Sequence, residues 1–146
     1  MNAGDFEKHF APAAAAVLES MFFSETAGPC GASHMPGDLQ ARVAFWGKVS
    51  GVLSVRVSEA SARALAASFL GETEESLDAI QIGQVVCELA NMLCGWIVSK
   101  AESKCVWELG APELFSAHEE ESEGTEQNFG IEHGTLTLVL CLGVIA

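Results

Sequence analysis

The sequence predicts an α+β fold in which a largely antiparallel β-sheet packs with about three α-helices. Two kinds of hydrophobic periodicity support this class, because apolar residues recur every three to four positions in some segments and every second position in others. These segments follow one another as a helix, two strands, two helices and then further strands, an order typical of layered α+β domains. With 146 residues, of which 49% are hydrophobic, the chain can bury its own core. We therefore expect a single domain over residues 1–146.

Three segments have the period of an α-helix. The first covers residues 5–24 and carries an apolar face. The second begins at Ser58, a favourable N-cap residue, and ends at Gly71, the residue type preferred just after a helix. The third and longest covers residues 78–103. A stretch rich in Gly and Pro at residues 27–38 predicts the loop that separates the first helix from the strands.

Alternating apolar and polar residues predict the first strands. Residues 39–46 and 49–58 both alternate, and the short break at Gly47 indicates a tight connection between two antiparallel strands. After the longest helix, residues 105–109 alternate again, and this pattern ends at Gly110. We therefore expect a third strand at this position.

The C-terminal part of the chain predicts a loop followed by a hairpin. The acidic run at residues 116–127 is typical of a solvated loop. Residues 129–131 and 135–145 predict two strands that turn at His133 and Gly134. The last strand is apolar on both faces, so we expect it in the interior of a sheet that is covered on both sides.

The charge and cysteine content exclude several classes of function. Twenty acidic and seven basic residues give a net charge of −13, which argues against nucleic acid or an anionic membrane surface as partner. The N-terminus lacks the basic start of a signal peptide, and the C-terminal apolar segment is too short to cross a bilayer as a helix. The five cysteines form neither a CxxC pair nor the Cys/His spacing of a metal site. We therefore expect reduced thiols, no metal ligands and a cytoplasmic protein without membrane insertion.

A narrow polar strip runs along the longest predicted helix. At about 100° per residue, polar or small residues lie within roughly 60° of Glu88. They are Gln81, Gln84, Asn91, Gly95, Ser99 and Glu102. The other faces of the helix carry apolar residues. These residues are Ile80, Ile82, Val85, Val86, Leu89, Met92, Leu93, Trp96, Ile97 and Val98. The strip offers a carboxylate at Glu88, an amide at Asn91 and, at Gly95, a position without side-chain bulk, so it suits a docking face.

The same strip has a simpler interpretation as the solvated face of a surface helix. Exposed helix faces commonly carry Glu, Gln, Asn and Ser, and a Glu-x-x-Asn spacing is short enough to occur by chance. The sequence contains no nucleotide-binding loop and no serine-hydrolase signature. Its four histidines lack partners at the spacing of a catalytic triad or a metal site. The residues alone leave both interpretations open.

Several segments together resemble one known family. "CELANMLCG", which ends at Gly95, resembles the ExxN…G helix signature of the chemotaxis phosphatases that include CheX, CheC and FliY. "FWGKVSGVLSVRV", "DAIQIGQVVCELANMLCG" and "GAPELF" are similar to the first hairpin, the catalytic helix and a later Pro-containing segment of that family, in the same order. The resemblance covers roughly residues 39–115 and is more specific than the short motif alone. In the first helix, Val17 and Ser20 occupy the positions at which a second motif would carry Glu and Asn. The chain therefore has a single motif, and in this it is similar to CheX.

The resemblance implies a phosphatase that accelerates hydrolysis of the aspartyl phosphate on a CheY-like receiver domain. In that case Asn91 orients the attacking water and Glu88 pairs with a lysine of the receiver. Positioning and electrostatics supply most of the catalysis in phosphoryl transfer, so an amide can suffice without a strong base. Gln84, Gly95 and Ser99 are then expected to contact the partner.

The resemblance also has implications for cofactors and partners. The Mg²⁺ ion would belong to the receiver domain, so this chain would need no cofactor of its own. The CheX members of the family form homodimers, which implies a homodimer here. The main alternative is a non-catalytic adaptor or sequestering module that binds a receiver domain in chemotaxis or motility signalling, and a weaker one is a structural protein of the same fold. Neither the target receiver nor the output pathway follows from the sequence.

Overall fold

The computed structural model describes residues 1–31, 35–115 and 124–143, and these form one antiparallel sheet with a layer of helices. In chain order the elements are α1 (Ala3–Glu7), α2 (Phe10–Phe22), β1 (Gly28–Pro29), β2 (Leu39–Trp46), β3 (Ser50–Val57), α3 (Glu59–Leu70), a 3-10 turn (Glu74–Ser76), α4 (Ala79–Ala101), β4 (Glu108–Leu109), β5 (Glu113–Leu114), β6 (Thr125–Ile131) and β7 (Gly134–Leu142). The α+β class with an antiparallel sheet is therefore confirmed.

The described strands are ordered β1-β6-β7-β3-β2-β4, and β5 also pairs with β2. The last strand, β7, lies between β6 and β3, as its apolar residues predict. The helices pack on the face of β7 that carries Leu136, Leu138 and Leu140, all of which are buried. On the other face Thr137 and Cys141 are buried as well.

The predicted first helix is two helices, α1 and α2, and Pro12 explains the break. In a continuous helix the Pro12 ring would clash with the carbonyl of Lys8, and Pro12 could not donate to that carbonyl. The chain instead turns at Lys8 and His9, and α2 begins at Phe10, which places Pro12 in a first turn where no donor is needed. The turn still buries Phe6 and Phe10 completely.

The strand expected at residues 105–109 is only the two-residue β4. Trp107 is turned towards the core, where its ring packs against Phe6 and Phe45. Its indole N–H donates to the carbonyl of Glu102 at 3.0 Å, which holds the chain out of the extended ladder. Beyond Gly110 the chain returns to β2 as the short β5, which the sequence did not indicate.

Two predicted loops contain strand residues. Gly28 and Pro29 form β1 on the edge of β6, inside the stretch expected to be a loop. Of the acidic run, residues 116–123 lie outside the described residues, and residues 125–127 belong to β6 rather than to a loop. Gln127 donates to the carboxylate of Glu7 at 3.0 Å, which ties the start of β6 to α1.

The final hairpin and α3 agree with the sequence except in local detail. The turn consists of Glu132 and His133, one residue earlier than expected, and His133 has a φ of 67°. Ser58 lies at the N-cap position of α3, but its hydroxyl accepts from the N–H of Thr135 at 3.1 Å instead of capping the helix. The end of α3 at Gly71, with a φ of 68°, is confirmed.

The longest helix, α4, packs against β2 and β3 of the sheet and is flanked by α1, α2 and α3. Asp78 and Gln81 form a reciprocal capping box, in which each side chain accepts from the other residue's backbone N–H at 2.8–2.9 Å. By length and composition α4 could cross a membrane, but 56% of its most apolar window is buried inside the fold. Such burial is typical of a core helix.

Candidate functional site

The polar strip of α4 faces outward over about four turns. Gln84, Glu88 and Ser99 are exposed, and Asn91 and Gly95 are half-buried. We call these five residues the polar ridge. The opposite faces of α4 are buried in the core through Ile82, Val85, Val86, Leu89, Leu93 and Ile97. The structure therefore brings together on one ridge the residues that the sequence singles out.

The two ends of the predicted strip have structural roles instead. Gln81 is engaged in the capping box at the start of α4. Glu102 ends the helix, and its carboxylate lies 3.7 Å from Lys48 Nζ. The residues of the strip between these two ends make up the polar ridge.

Glu88 and Asn91 are not used by the fold. Within residues 1–31, 35–115 and 124–143, neither side chain makes a hydrogen bond or an ion pair. Their spacing of three residues places the two Cβ atoms about 5–6 Å apart on adjacent turns. A carboxylate and an amide are thus held next to each other on a rigid helix, with their hydrogen-bonding capacity free for another molecule.

Asn91 lies in an open groove between α4, α2 and β4, which we call the Asn91 groove. Its lining residues are Ala16, Val17, Ser20, Met21, Asn91, Met92, Gly95, Trp96, Ser99 and Leu109. Three residues of the polar ridge are therefore in this groove. Nothing in the described part of the chain closes it, because Met21 is exposed and Trp96 and Leu109 are only half-buried.

Gly95 leaves space that its own fold does not fill. A Cβ atom built at this position would have only the tip of Leu109 nearby, at 3.9 Å, an ordinary van der Waals contact. Its φ does not lie in the left-handed region, so neither packing nor backbone conformation requires glycine. Gly83 on the same helix differs, since a Cβ atom there would lie 2.8 Å from Leu114 Cδ1. The open space at Gly95 faces outward, where another molecule can approach the helix closely.

Glu88 borders a second open groove, the Glu88 groove, on the N-terminal half of α4. Its lining residues are Phe69, Leu70, Ile80, Gln81, Gly83, Gln84, Val85, Cys87, Glu88, Pro112, Glu113 and Leu114. Ile80 is 72% exposed in this groove, so the expectation that it lies on a buried face of the helix is wrong. On the helical wheel Ile80 lies only about 20° from Asn91, so the helical repeat places Ile80 on the same exposed side of the helix.

The thiols near the ridge are poor nucleophiles. Burial raises the pKa of Cys87, and the neighbouring carboxylates of Glu88 and Glu113 raise it further. Burial alone raises the pKa of Cys94 to about 12. In the described residues no group of three or more His, Cys, Asp or Glu side chains is arranged to hold a metal ion.

The arrangement defines a class of protein. In the described part of the chain a rigid helix presents a free carboxylate, a free amide and an uncrowded approach, and the nearby thiols of Cys87 and Cys94 have raised pKa values. Such a surface suits a protein that acts by docking on a partner and orienting groups there. The α+β fold and the polar ridge together therefore suit docking through this face of α4.

Comparison with known proteins identifies the family. The family described as chemotaxis phosphatase CheX matches residues 39–132, which is more than half of the chain. The chain belongs to the CheX family. No curated protein matches it by sequence.

Solved structures of similar fold agree with this assignment. A CheX from Vibrio vulnificus is 22% identical, with a TM-score of 0.76 over 97% of this chain and 99% of the other. The CheX of a Borrelia burgdorferi CheX–CheY–BeF3–Mg²⁺ complex is 16% identical, with a TM-score of 0.75 over 94% and 97%. A CheC-like protein from Shewanella sp. PV-4 is 23% identical, with a TM-score of 0.74 over 97% and 99%. At these identities the likeness shows the fold alone.

Proposed function

We propose that this protein accelerates hydrolysis of the aspartyl phosphate on a CheY-like receiver domain, with Asn91 and Glu88 as the catalytic residues. The observation that carries the proposal is that these two side chains stand free, side by side, on an accessible ridge of the longest helix. Membership of a chemotaxis phosphatase family supports the reaction class. The Borrelia CheX solved with CheY, BeF3 and Mg²⁺ supports a receiver as the partner.

In the proposed reaction the Asn91 amide holds a water molecule in line with the phosphorus. The water oxygen forms a bond to phosphorus while the bond from phosphorus to the aspartyl oxygen breaks. The products are the aspartate carboxylate and inorganic phosphate, and the proton of the water is released to solvent or phosphate. An amide is sufficient because positioning, rather than strong base catalysis, lowers the barrier in this type of transfer.

Glu88 anchors the helix in the correct register. Its carboxylate has no partner in the described structure, so it is available to a cation such as the receiver's lysine. A charge pair that is desolvated on docking fixes orientation strongly, because a charge left unpaired in the interface would be costly. The Mg²⁺ ion of the reaction is supplied by the receiver in this proposal, and this chain contributes no ligand to it.

The remaining residues of the polar ridge contact the receiver on either side of the catalytic pair. Gln84 lies one turn before Glu88 in the Glu88 groove, and Ser99 lies two turns after Asn91 in the Asn91 groove. Gly95 between them lets the receiver surface come close to the helix backbone. We further propose that the protein acts in the cytoplasm as a homodimer, and sedimentation that shows only monomer at micromolar concentration would contradict the dimer.

The test is to phosphorylate candidate receivers with a small phosphodonor and to follow decay of the phosphoryl group. We expect the wild-type protein to accelerate decay and Asn91→Ala to lower that acceleration about 100-fold, since misplacing a reacting group by about 1 Å has an effect of this size. Glu88→Ala is expected to weaken binding of the receiver and to lower the acceleration as well. Glu19→Ala removes an exposed carboxylate from α2 outside both grooves and serves as the matched control.

Two results would contradict the proposal. If Asn91→Ala accelerates decay as well as wild type, the amide does not orient the water. If wild type binds the phosphorylated receiver without accelerating decay, the protein is an adaptor or a sequestering module rather than a phosphatase.

A further inference from the structure

Some of the exposed apolar side chains in the described part of the chain lie beside the polar ridge. Four of the exposed large hydrophobic residues, Met21, Leu70, Ile80 and Leu114, line the two grooves, and we call them the apolar collar. They come from α2, α3, α4 and β5, so residues distant in sequence border the ridge: Met21 lies in the Asn91 groove, and Leu70, Ile80 and Leu114 lie in the Glu88 groove. Exposed apolar clusters with polar neighbours typically mark interaction surfaces.

We propose that the apolar collar is the part of the docking surface that selects the receiver domain, by burying apolar side chains that the receiver presents around its acyl-phosphate pocket. The inference rests on the proposed function and specifies the partner for that same site. A receiver that covers the polar ridge from Gln84 to Ser99 also lies over the Glu88 groove, which Ile80 and Leu114 line. The collar then adds binding energy and excludes bulk water from the catalytic pair.

The charge distribution favours a phosphorylated receiver as the occupant. Although the chain has a net charge of −13, only Glu88 and Glu113 are charged among the described residues that line the two grooves. Glu113 is neutralised by Arg42, whose Nε lies 2.9 Å from its carboxylate. The grooves therefore repel an anionic phosphoryl group much less than the rest of this acidic surface would.

The same distribution disfavours a second copy of this chain as the occupant. In a symmetric dimer through this face, each Glu88 would approach the other copy's ridge, and none of the described residues that line the two grooves is a cation. A carboxylate buried in that way without a partner would be costly. A receiver that supplies a lysine opposite Glu88 does not have this disadvantage.

Leu114 is held in the collar by a glycine on α4. Its Cδ1 atom lies over Gly83, where a Cβ atom would be only 2.8 Å away. Leu114 nevertheless remains 50% exposed, so the contact positions the side chain without burying it. Gly83 is therefore a positioning residue for the collar.

The experiment compares the kinetics of wild type, Ile80→Ser and Leu114→Ser against a receiver that wild type dephosphorylates. We expect each substitution to raise KM for the phosphorylated receiver roughly tenfold, because each removes an apolar side chain buried on docking, and to leave kcat within about twofold. Val106→Ser is the matched control, since Val106 is 85% exposed and lies outside both grooves. Circular dichroism establishes that each variant is folded.

The outcomes separate this inference from the proposed function. If wild type is active and both collar variants keep the wild-type KM, the collar does not contact the receiver and the inference is wrong, while the proposed function stands. If the variants turn a dimer into a monomer in sedimentation, the collar binds a second copy and the inference is also wrong. If wild type neither binds nor dephosphorylates any phosphorylated receiver, the proposed function fails and the inference fails with it.

Discussion

Replacing Gly95 with alanine tests whether the helix backbone is approached by a partner. Glycine inside a helix is less favourable than alanine by about 0.8–1 kcal/mol. The added methyl group would contact only the tip of Leu109, at 3.9 Å, so packing does not offset this gain. We expect Gly95→Ala to raise the free energy of unfolding by nearly 1 kcal/mol, which corresponds to a rise in Tm of about 2–4 °C for a chain of this size.

The same substitution is expected to impair the reaction. The methyl group would project into the Asn91 groove and hold the receiver surface further from the helix. A displacement of about 1 Å at the reacting groups can lower the rate about 100-fold. We therefore expect a more stable protein with much lower acceleration of receiver dephosphorylation, a combination that a purely structural glycine would not give.

The assay pairs thermal unfolding with the dephosphorylation kinetics. Gly83→Ala is the comparison for stability, because it makes the same change on the same helix. Its added methyl group would press against Leu114, so the increase in the free energy of unfolding should be smaller or absent. Full activity in Gly95→Ala would refute the idea that a partner lies flat against α4 at this position. A fall in its Tm would refute the claim that the fold itself does not need this glycine.

Two further predictions concern α4. Asp78→Ala removes one half of the capping box and should lower the free energy of unfolding by about 1 kcal/mol in urea titrations. Phosphatase activity at 25 °C should be retained. Unchanged stability would contradict the capping role. Iodoacetamide at pH 8 should modify the exposed Cys30 in the native protein, but should modify Cys94 only after unfolding. The reason is that burial shields Cys94 and raises its pKa to about 12. Mass spectrometry measures both sites, and equal rates in the native protein would contradict the burial of Cys94.

The elements that the sequence predicts well are those with a clear period and recognisable ends. The hairpin of β2 and β3, the helix α3 ending at Gly71 and the long helix α4 all follow from alternation, helical repeat and capping residues. The break between α1 and α2 could also be predicted from the sequence. A proline is tolerated only in the first turn of a helix, so Pro12 indicates that a helix begins shortly before it. Trp107 was not, since its turn into the core depends on contacts with Phe6 and Phe45 that are distant in sequence.

The candidate site likewise has one part that the sequence predicts and another part that it does not. The polar ridge was predictable because its residues share one helix, and the helical repeat alone places Glu88 beside Asn91. The grooves and the apolar collar were not, because Met21, Leu70 and Leu114 reach the ridge through the packing of separate elements. The roles of Glu88 and Asn91 as catalytic residues stay predictions that the kinetics must test.

The position of α4 has a consequence for how variants of this protein should be screened. Its inner side supplies Leu89, Leu93 and Ile97 to the core, and its outer side carries the polar ridge. A substitution that enlarges or shrinks one of these buried residues would tilt or shift α4. If the proposed function holds, it would displace the Asn91 amide from the receiver although Asn91 itself is unchanged. Loss of turnover in a random library will therefore map to interior as well as surface positions, and only a parallel measurement of folding can tell the two causes apart.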